Sequence, residues 1–168
     1  MTGMKHTLVA LVENKPGVLN RVSSLFRRRA FNIESIAVGH SEQPGLSRMT
    51  VVVNGDSARI EQVRKQLDKL INVVRVSDIT AEDIVTRELA LIKVKTTTAT
   101  RSEIIQIVDI FRANIVDVAS DSLTVEVTGD EDKLESLLEL LRGFGVTEIN
   151  RTGRIALTRG GAAQANRH

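Results

Sequence analysis

The same order of strand-like and helix-like segments occurs twice along this chain of 168 residues, and this repeat limits the fold more than any other feature of the sequence. In each half, short apolar runs bounded by turn residues alternate with segments whose apolar residues recur at helical spacing. The order strand, helix, strand, strand, helix, strand is that of the ferredoxin-like βαββαβ plan. We therefore predict an α+β fold made of two ferredoxin-like βαββαβ domains.

Apolar stripes at helical spacing predict four helices. In the first half they consist of Val18, Leu19, Val22, Leu25 and Phe26, and then of Ile60, Val63, Leu67, Leu70 and Ile71. In the second half they consist of Ile104, Ile107, Val108 and Phe111, and then of Leu134, Leu137, Leu138 and Leu141.

Turn and capping residues predict where these elements begin and end. Asp56 and Asp130 can cap the helices that follow them, and Thr100 and Glu103 have the spacing of a capping box. In the last strand-like segment, Gly153 predicts a bend or an interruption. We place the first domain at residues 5–80 and the second at 86–159. The remaining residues, 160–168, are polar or small and are predicted to form a disordered tail.

Composition excludes several classes of function. The chain has no cysteine, so disulfides, thiolate metal sites and cysteine nucleophiles are excluded. The three histidines are scattered, and no metal site is predicted. We expect His6 and His40 to be solvated surface residues, while His168 belongs to the predicted tail. The chain has four Phe, no Trp or Tyr, and a net charge of only +2, which does not favour a nucleic-acid partner.

The N-terminal residues lack the layout of a signal peptide, and no stretch is long and apolar enough to span a bilayer. We therefore expect a cytoplasmic location without a membrane partner. Two charged runs are explained by helix ends. Arg27, Arg28 and Arg29 fall in the last predicted turn of the first helix, and the acidic residues of 130–135 lie at the start of the last helix.

The segment "ENKPGVL", residues 13–19, joins the first predicted strand to the first helix. Pro16 and Gly17 are typical of a plain turn, because proline presets its backbone angle and glycine accepts unusual ones. The same position leaves free backbone N–H groups at the start of a helix, which favours a carboxylate or phosphate. Gly17 would also let a ligand approach the backbone. These residues alone fit either a turn or a binding loop.

A longer run of residues decides the family. The segment "LVALVENKPGVLNRVSSLFRRRAFNIESIAVG", followed by "LSRMTVV", resembles the small, regulatory subunit of acetolactate synthase. Its first half resembles the N-terminal ACT domain of that family, an amino-acid-sensing βαββαβ module. In the second half, "RELALIKV", "DIFRANIVDV" and "RTGRIALTRG" resemble the C-terminal domain. The resemblance covers nearly the whole chain except the tail.

The resemblance implies a partner enzyme. In this family a separate large catalytic subunit carries thiamine diphosphate, magnesium and FAD, and it condenses pyruvate with pyruvate or 2-oxobutyrate on the way to valine, leucine and isoleucine. The small subunit has no catalytic site and no cofactor of its own. It raises the activity of the large subunit and confers feedback inhibition by valine.

The resemblance also implies which residues bind the effector. Asn14, Gly17, Val18 and Leu19 match the family's effector loop and helix start, and Asn32 matches the asparagine that opens the second strand. In ACT dimers the effector lies between two chains, so a homodimer through the first domains is implied. Asn20 and Pro16 depart from common residues of the family. The preference among valine, leucine and isoleucine stays open, as do the stoichiometry and the role of the second domain.

Two alternatives come from other functional classes, and the first, a small enzyme such as an acylphosphatase, uses the same ferredoxin-like frame. An acylphosphatase would need an arginine in its phosphate-cradling first loop, and "ENKPG" contains none. A free-standing amino-acid-responsive regulator that binds nucleic acid would need a helix-turn-helix or a clearly basic face, and the sequence predicts neither.

Overall fold

The computed structural model describes residues 4–161, and residues 1–3 and 162–168 lie outside the described part. Most of the predicted tail, including His168, therefore lies outside it. The chain forms two compact units. The first contains the residues up to Val85 together with those from Arg154 onward, and the second contains Thr86–Gly153. Among residues 4–161, no helix has the length and apolar character needed to cross a membrane.

The first unit has the predicted βαββαβ order. Its elements are β1 (Met4–Glu13), α1 (Val18–Arg28), β2 (Asn32–His40), β3 (Leu46–Gly55), α2 (Ser57–Asp68) and β4 (Val73–Asp78). The four strands form one antiparallel sheet in the order β2-β3-β1-β4. Since β2 and β4 are the outer strands, each has one neighbour in this sheet.

One face of this sheet carries the core of the unit. Side chains alternate between the two faces of a strand, and Leu8, Ala10 and Val12 of β1 point toward the helices. They pack with apolar residues of α1 and α2 such as Phe26 and Ile60. Each such fully buried side chain contributes about 1.5–3 kcal/mol through loss of its contact with water.

The predicted helical stripes of the first unit hold for most of their residues. Leu19 and Ile71 are exceptions, since their exposed fractions are 48% and 88%. Leu19 lies in the first turn of α1 and points away from the core, whereas its neighbour Val18 is buried. Ile71 is exposed because α2 ends at Asp68 and the chain turns before β4. Leu70, in that turn, still packs against the core.

The second unit repeats the plan. Its elements are β5 (Ile84–Lys95), α3 (Arg101–Ile110), β6 (Asn114–Val118), β7 (Ser122–Gly129), α4 (Glu131–Arg142) and β8 (Val146–Arg151). The strand order is β6-β7-β5-β8. The predicted stripe of α4 is confirmed, because Leu134, Leu137, Leu138 and Leu141 are all buried in the core of this unit.

The predicted caps have different outcomes. Asp56 and Asp130 are confirmed as caps, since Asp56 accepts from the amide of Ala58 and Asp130 accepts from the amide of Lys133. The capping box predicted at Thr100 is wrong. The Thr100 hydroxyl makes no cap bond to α3 and instead accepts from the backbone N–H of Thr97, at 2.9 Å.

The first helix of each unit ends in the same way. After α1, Ala30 has a φ of 56°, and after α3, Arg112 has a φ of 54°. In both places the next amide bonds five residues back, from Phe31 to the carbonyl of Phe26 and from Ala113 to that of Val108, each at 3.0 Å. This is the Schellman motif, in which a left-handed residue turns the chain out of the helix. The rings of Phe26 and Phe31 pack edge to face beside it.

The chain beyond β8 returns to the first unit. The predicted interruption at Gly153 is confirmed, since Gly153 has a φ of 82° and separates β8 from β9 (Ile155–Thr158). The strand β9 pairs with β5, which spans the boundary between the units. Residues 154–161 cluster with the first unit, whereas the sequence predicts that 154–159 belong to the second domain. Arg154 donates to the Thr7 hydroxyl at 3.1 Å.

The environment of His6 differs from the prediction. His40 is exposed as predicted, but His6 is only 4% exposed, so its assignment to the solvated surface is wrong. Its Nδ1 atom lies 2.9 Å from Oδ2 of Asp78. The other carboxylate oxygen of Asp78, Oδ1, accepts from the Thr80 amide at 3.0 Å and from the Thr80 hydroxyl. The His6–Asp78 pair therefore joins the start of β1 to the end of β4.

These contacts set the ionisation of Asp78. Burial raises the pKa of the Asp78 carboxyl, but the hydrogen bonds from Thr80 and His6 outweigh burial and leave that pKa below its ordinary value of 3.8. The folded state therefore favours the ionised form. The stability that Asp78 contributes is complete above pH 3.8 and is lost as the pH falls through the lowered folded-state pKa.

We expect Asp78→Ala to lower the free energy of unfolding at neutral pH by about 1–3 kcal/mol, because the Thr80 amide and His6 lose their acceptor. The difference from the unsubstituted chain should shrink below pH 3.8, where the Asp78 carboxylate becomes protonated. Urea denaturation at a series of pH values measures both effects. Asp83→Ala removes an exposed carboxylate as the control, and equal losses in the two variants would contradict this role of Asp78.

Candidate effector-binding loop

The loop between β1 and α1 is fixed at its start by two backbone hydrogen bonds. The amide of Glu13 donates to the carbonyl of Asn72 at 2.8 Å, and the amide of Asn14 donates to the carbonyl of Gly45 at 2.8 Å. Asn72 precedes β4, and Gly45 lies in the turn between β2 and β3. Segments from two other parts of the sheet therefore hold the loop in place.

Side chains reinforce this position. The Asn72 side-chain amide donates to a carboxylate oxygen of Glu13 at 3.0 Å and accepts from the Arg21 guanidinium of α1. Lys15 forms an ion pair with Glu13 at 2.9 Å. The hydrogen bond from Lys15 and then that from Asn72 lower the pKa of the Glu13 carboxyl, which keeps it ionised. Asn72 thus connects the end of β1 to the first turns of α1.

Gly17 leaves the start of α1 open. It is the N-cap residue with φ 85° and ψ −9°, a left-handed conformation that favours glycine. It has no side chain to cap the helix, and the first turn contains no acidic residue. A Cβ placed at Gly17 would meet no atom within 4 Å. The helix therefore begins beside free space.

The amides of the first turn are consequently available. The Arg21 amide bonds the Gly17 carbonyl at 3.0 Å and closes the first turn, and the Val18 amide makes a long contact of 3.4 Å to the Lys15 carbonyl. Within residues 4–161, the amides of Leu19 and Asn20 have no hydrogen-bond acceptor. Such donors at the positive end of a helix dipole can bind a carboxylate.

The corresponding loop of the second unit shows the contrast. Its start is fixed in the same way, with the Lys95 amide on the Gly145 carbonyl at 2.8 Å and the Thr96 amide on the Asp121 carbonyl at 2.9 Å. Its helix start, however, carries different residues, because Thr100 supplies a side chain at the N-cap and Glu103 supplies an acidic side chain in the first turn. Thr97 and Thr100 exchange bonds between their amides and hydroxyls, at 2.9 and 3.3 Å. The helix start of the first unit therefore lacks the N-cap side chain and the acidic residue that the second unit carries, and an acidic side chain there disfavours a bound carboxylate.

The structure places the five sequence-predicted site residues in different environments. Asn14, Gly17 and Leu19 are exposed around the open helix start. The Val18 side chain is buried in the core, so Val18 can offer only its backbone. Asn32 is exposed at the start of β2.

A single chain does not bring Asn32 near the loop. Along β3, Leu46 pairs with Glu13 and Asn54 pairs with Asn32. These two positions of β3 are eight residues apart, which corresponds to about 26 Å along a strand. Asn32 therefore lies at the opposite end of the sheet from Asn14 and Gly17 of the same chain.

Sequence reasoning missed the residues that support the loop, namely Arg21, Gly45 and Asn72. The loop itself is recognisable because Pro16 and Gly17 are adjacent before a helical stripe. Arg21 follows the loop in α1, but Gly45 and Asn72 come from segments about 30 and 60 residues further along the chain, brought together by antiparallel pairing. No local pattern in the sequence indicates these contacts. The residues that the structure describes contain no group of three or more His, Asp or Glu side chains that could hold a metal ion.

Comparison with known proteins agrees with this architecture. The sequence model described as "AHAS small subunit-like ACT domain" matches residues 8–75, so the first βαββαβ unit is an ACT domain. The model described as "Small subunit of acetolactate synthase" matches residues 87–160. Together the two matches cover most of the chain, which belongs to the family of acetolactate synthase small subunits, as its sequence predicts.

Individual relatives support the assignment over nearly the full length. A probable acetolactate synthase small subunit of Archaeoglobus fulgidus is 57% identical over 157 residues, which cover 94% of this chain and 98% of the relative. The acetolactate synthase small subunit of Mycolicibacterium smegmatis is 53% identical, with 92% and 91% covered. The crystal structure of the small subunit from Thermotoga maritima has a TM-score of 0.86 at 45% identity, with 94% and 99% covered.

The left-handed conformation at Gly17 has a measurable energetic consequence. We expect Gly17→Ala to lower the free energy of unfolding by about 1–2 kcal/mol, because a Cβ disfavours the left-handed conformation even where space is free. Urea denaturation followed by circular dichroism measures the change. Gly143→Ala is the matched control, since Gly143 ends α4 with φ −60° and an added Cβ would meet ordinary contacts only. We expect this control to be neutral or slightly stabilising. Equal effects would contradict the assigned conformation of Gly17.

Proposed function

We propose that two copies of this chain pair through their ACT domains, bind valine between them, and thereby control a separate large catalytic subunit of acetolactate synthase. The catalytic chemistry, with thiamine diphosphate, magnesium and FAD, belongs to that partner. This chain activates the partner and makes it sensitive to valine as an end product of branched-chain amino acid synthesis. The observation that carries the proposal is the open, uncapped start of α1 at Gly17.

The effector's carboxylate is assigned to the amides of Gly17, Val18 and Leu19. A carboxylate there gains hydrogen bonds and the favourable field of the helix N-terminus. Gly17 permits this close approach because it has no Cβ. The side chains of Asn14 and Asn32 supply further hydrogen bonds to the polar groups of the effector, because an amide side chain both donates and accepts.

The placement of Asn32 supports a site made by two chains. In the described part of the chain, β2 pairs with β3 only and leaves its other edge free. Antiparallel pairing of this edge with the same edge of a second copy would place the start of one β2 beside the end of the other. Asn32 of one copy would then approach the end of the sheet that carries Asn14 and Gly17 of the other. Val38, exposed on β2, would lose contact with water on pairing.

Valine at such an interface would connect two ACT domains. A ligand regulates only through different affinities for two states, and such coupling is typically about 1–3 kcal/mol. Effector-bound and effector-free dimers would then hold the catalytic subunit differently. A change in activity from several-fold to about a hundredfold is within that range.

We expect Gly17→Asp to abolish inhibition by valine while the variant still activates the catalytic subunit. The substitution places a carboxylate where the effector's carboxylate must bind, so like charges repel. Acetolactate formation by the reconstituted two-subunit complex, measured against valine concentration, tests this.

Gly17→Asn is the matched control, because asparagine has nearly the same shape as aspartate, tolerates a positive φ, and carries no charge. We expect valine inhibition to be weakened less in Gly17→Asn than in Gly17→Asp. If the complex with Gly17→Asp stays as sensitive to valine as the unsubstituted complex, the carboxylate does not bind at this loop.

A mixing experiment tests whether each site combines residues of two chains. We expect Gly17→Asp and Asn32→Ala each to lose valine binding alone. When the two variants are unfolded together and refolded, the mixed dimer should regain one of its two sites, because the intact loop of one chain meets the intact Asn32 of the other. Isothermal titration calorimetry measures the recovered sites. If verified mixed dimers recover no valine binding, Gly17 and Asn32 of different chains do not form one site, which contradicts the proposal.

A further inference from the structure

A second candidate site lies on the sheet face of the first unit that points away from the helices. Leu8, Ala10 and Val12 of β1 point toward the core, so Val9 and Leu11 point to the other face. The register places Thr50 and Ser77 on either side of Val9, as partners on β3 and β4.

Two arginines flank Leu11 in the next cross-strand row. Arg48 of β3 and Arg75 of β4 are both register partners of Leu11. Neighbouring strands are about 4.8 Å apart, so the two arginine backbones are about 10 Å apart with Leu11 between them. Arginine side chains are long enough to converge over this distance. The row therefore combines an apolar floor with two guanidinium groups.

The two arginines differ in their partners. Arg48 binds both carboxylate oxygens of Glu42, at 2.8 and 3.1 Å. Its guanidinium lowers the pKa of the Glu42 carboxyl to about 2, and the charge of Arg75 contributes to the same shift. Arg75 is exposed, and its side chain makes no hydrogen bond or ion pair within residues 4–161. The cluster of Glu42, Arg48 and Arg75 consequently carries one net positive charge.

The chain end covers part of this surface. A cavity of about 100 Å³ lies beneath residues 156–158 of β9. Its other lining residues are Val9, Leu11, Arg48, Arg75, Ser77 and Ile79. Ala156 and Ile79 are each 5% exposed, which shows that this cover is packed. The hydroxyls of Ser77 and Thr158 add uncharged polar groups to a lining of apolar side chains and two arginines. All of these residues belong to the first unit.

We propose that this cavity, called here the arginine pocket, binds a small aliphatic monocarboxylate. Its carboxylate pairs with Arg75, while its alkyl group lies on Val9, Leu11 and Ile79. A planar guanidinium binds a carboxylate through two parallel hydrogen bonds, which gives both strength and direction.

The chemistry of the arginine pocket selects this class over other anions. Inorganic phosphate is strongly hydrated, so its contact with the apolar side chains of Val9, Leu11 and Ile79 would be unfavourable. A dicarboxylate would bring two charges to a cluster with one net positive charge. An engineered cavity of about 150 Å³ holds benzene, with six non-hydrogen atoms, so the cavity of about 100 Å³ has room for about four such atoms, enough for a short alkyl group whose carboxylate lies at the exposed Arg75.

The arginine pocket is separate from the effector loop. The loop binds through backbone amides at the start of α1, whereas the arginine pocket uses side chains on the face opposite the helices. The arginine pocket would therefore bind its ligand even if valine did not bind at the effector loop, and the reverse also holds. The Gly17→Asp variant distinguishes the two sites.

Isobutyrate is the probe, and isobutyramide is its uncharged counterpart of the same shape. Methyl-labelled full-length protein is titrated with each compound and followed by two-dimensional NMR. We expect isobutyrate to cause saturable shifts of the Val9, Leu11 and Ile79 methyl signals, with isobutyramide at least about tenfold weaker, since a charged hydrogen bond is lost. The shifts should persist in Gly17→Asp.

Arg75→Gln should weaken isobutyrate binding by at least about tenfold, and Arg75→Lys should recover part of it because the charge returns without the planar fork. Arg28→Gln is the matched control, since it removes an exposed arginine on α1, away from the arginine pocket. Absent or unsaturable shifts, equal binding of isobutyramide, or unchanged affinity in Arg75→Gln would each overturn the proposal.

Discussion

The pairing of β1 with β3 is the interaction on which both candidate sites depend. The ten pairs from Met4–Gly55 to Glu13–Leu46 are continuous, without a shift of register. A slip by one residue would exchange the buried side chains of β1 with those on the opposite face. The same register puts the effector loop at one end of the sheet, Asn32 at the other, and Arg48 beside Leu11. Core packing therefore fixes the positions of the functional groups.

Features set by neighbours in sequence were predictable, whereas those set by distant contacts were not. The element order and the Asp130 cap follow from local spacing, and the loop at Gly17 follows from its turn residues. His6 was misplaced because its burial depends on Asp78, 72 residues away. Thr100 has the spacing of a cap, but its hydroxyl binds Thr97 instead. The supports of the effector loop, including Asn72, are equally invisible to a local pattern.

The internal repeat separates architecture from function within one chain. Both units fix the end of their first strand by two backbone bonds and end their first helix with a left-handed residue, Ala30 or Arg112. They differ where the helix begins. The first unit has Gly17 at the N-cap and no acidic residue in the first turn, whereas the second has Thr100 at the N-cap and Glu103 in the first turn. The fold alone therefore does not decide how accessible a helix start is to an anion, and the residues at one turn do.

The turn between β2 and β3 connects the two candidate sites physically. The Gly45 carbonyl of this turn holds the Asn14 amide of the effector loop, and its Glu42 holds Arg48 beside the arginine pocket. The Ser41 hydroxyl ties the turn together by binding the Leu46 carbonyl at 2.9 Å. A ligand that shifted this turn from either side would change the other candidate site as well. Linkage makes such coupling equal in both directions. A carboxylate bound to Arg75 would therefore change the affinity for the effector by the same factor by which the bound effector changes the affinity for that carboxylate.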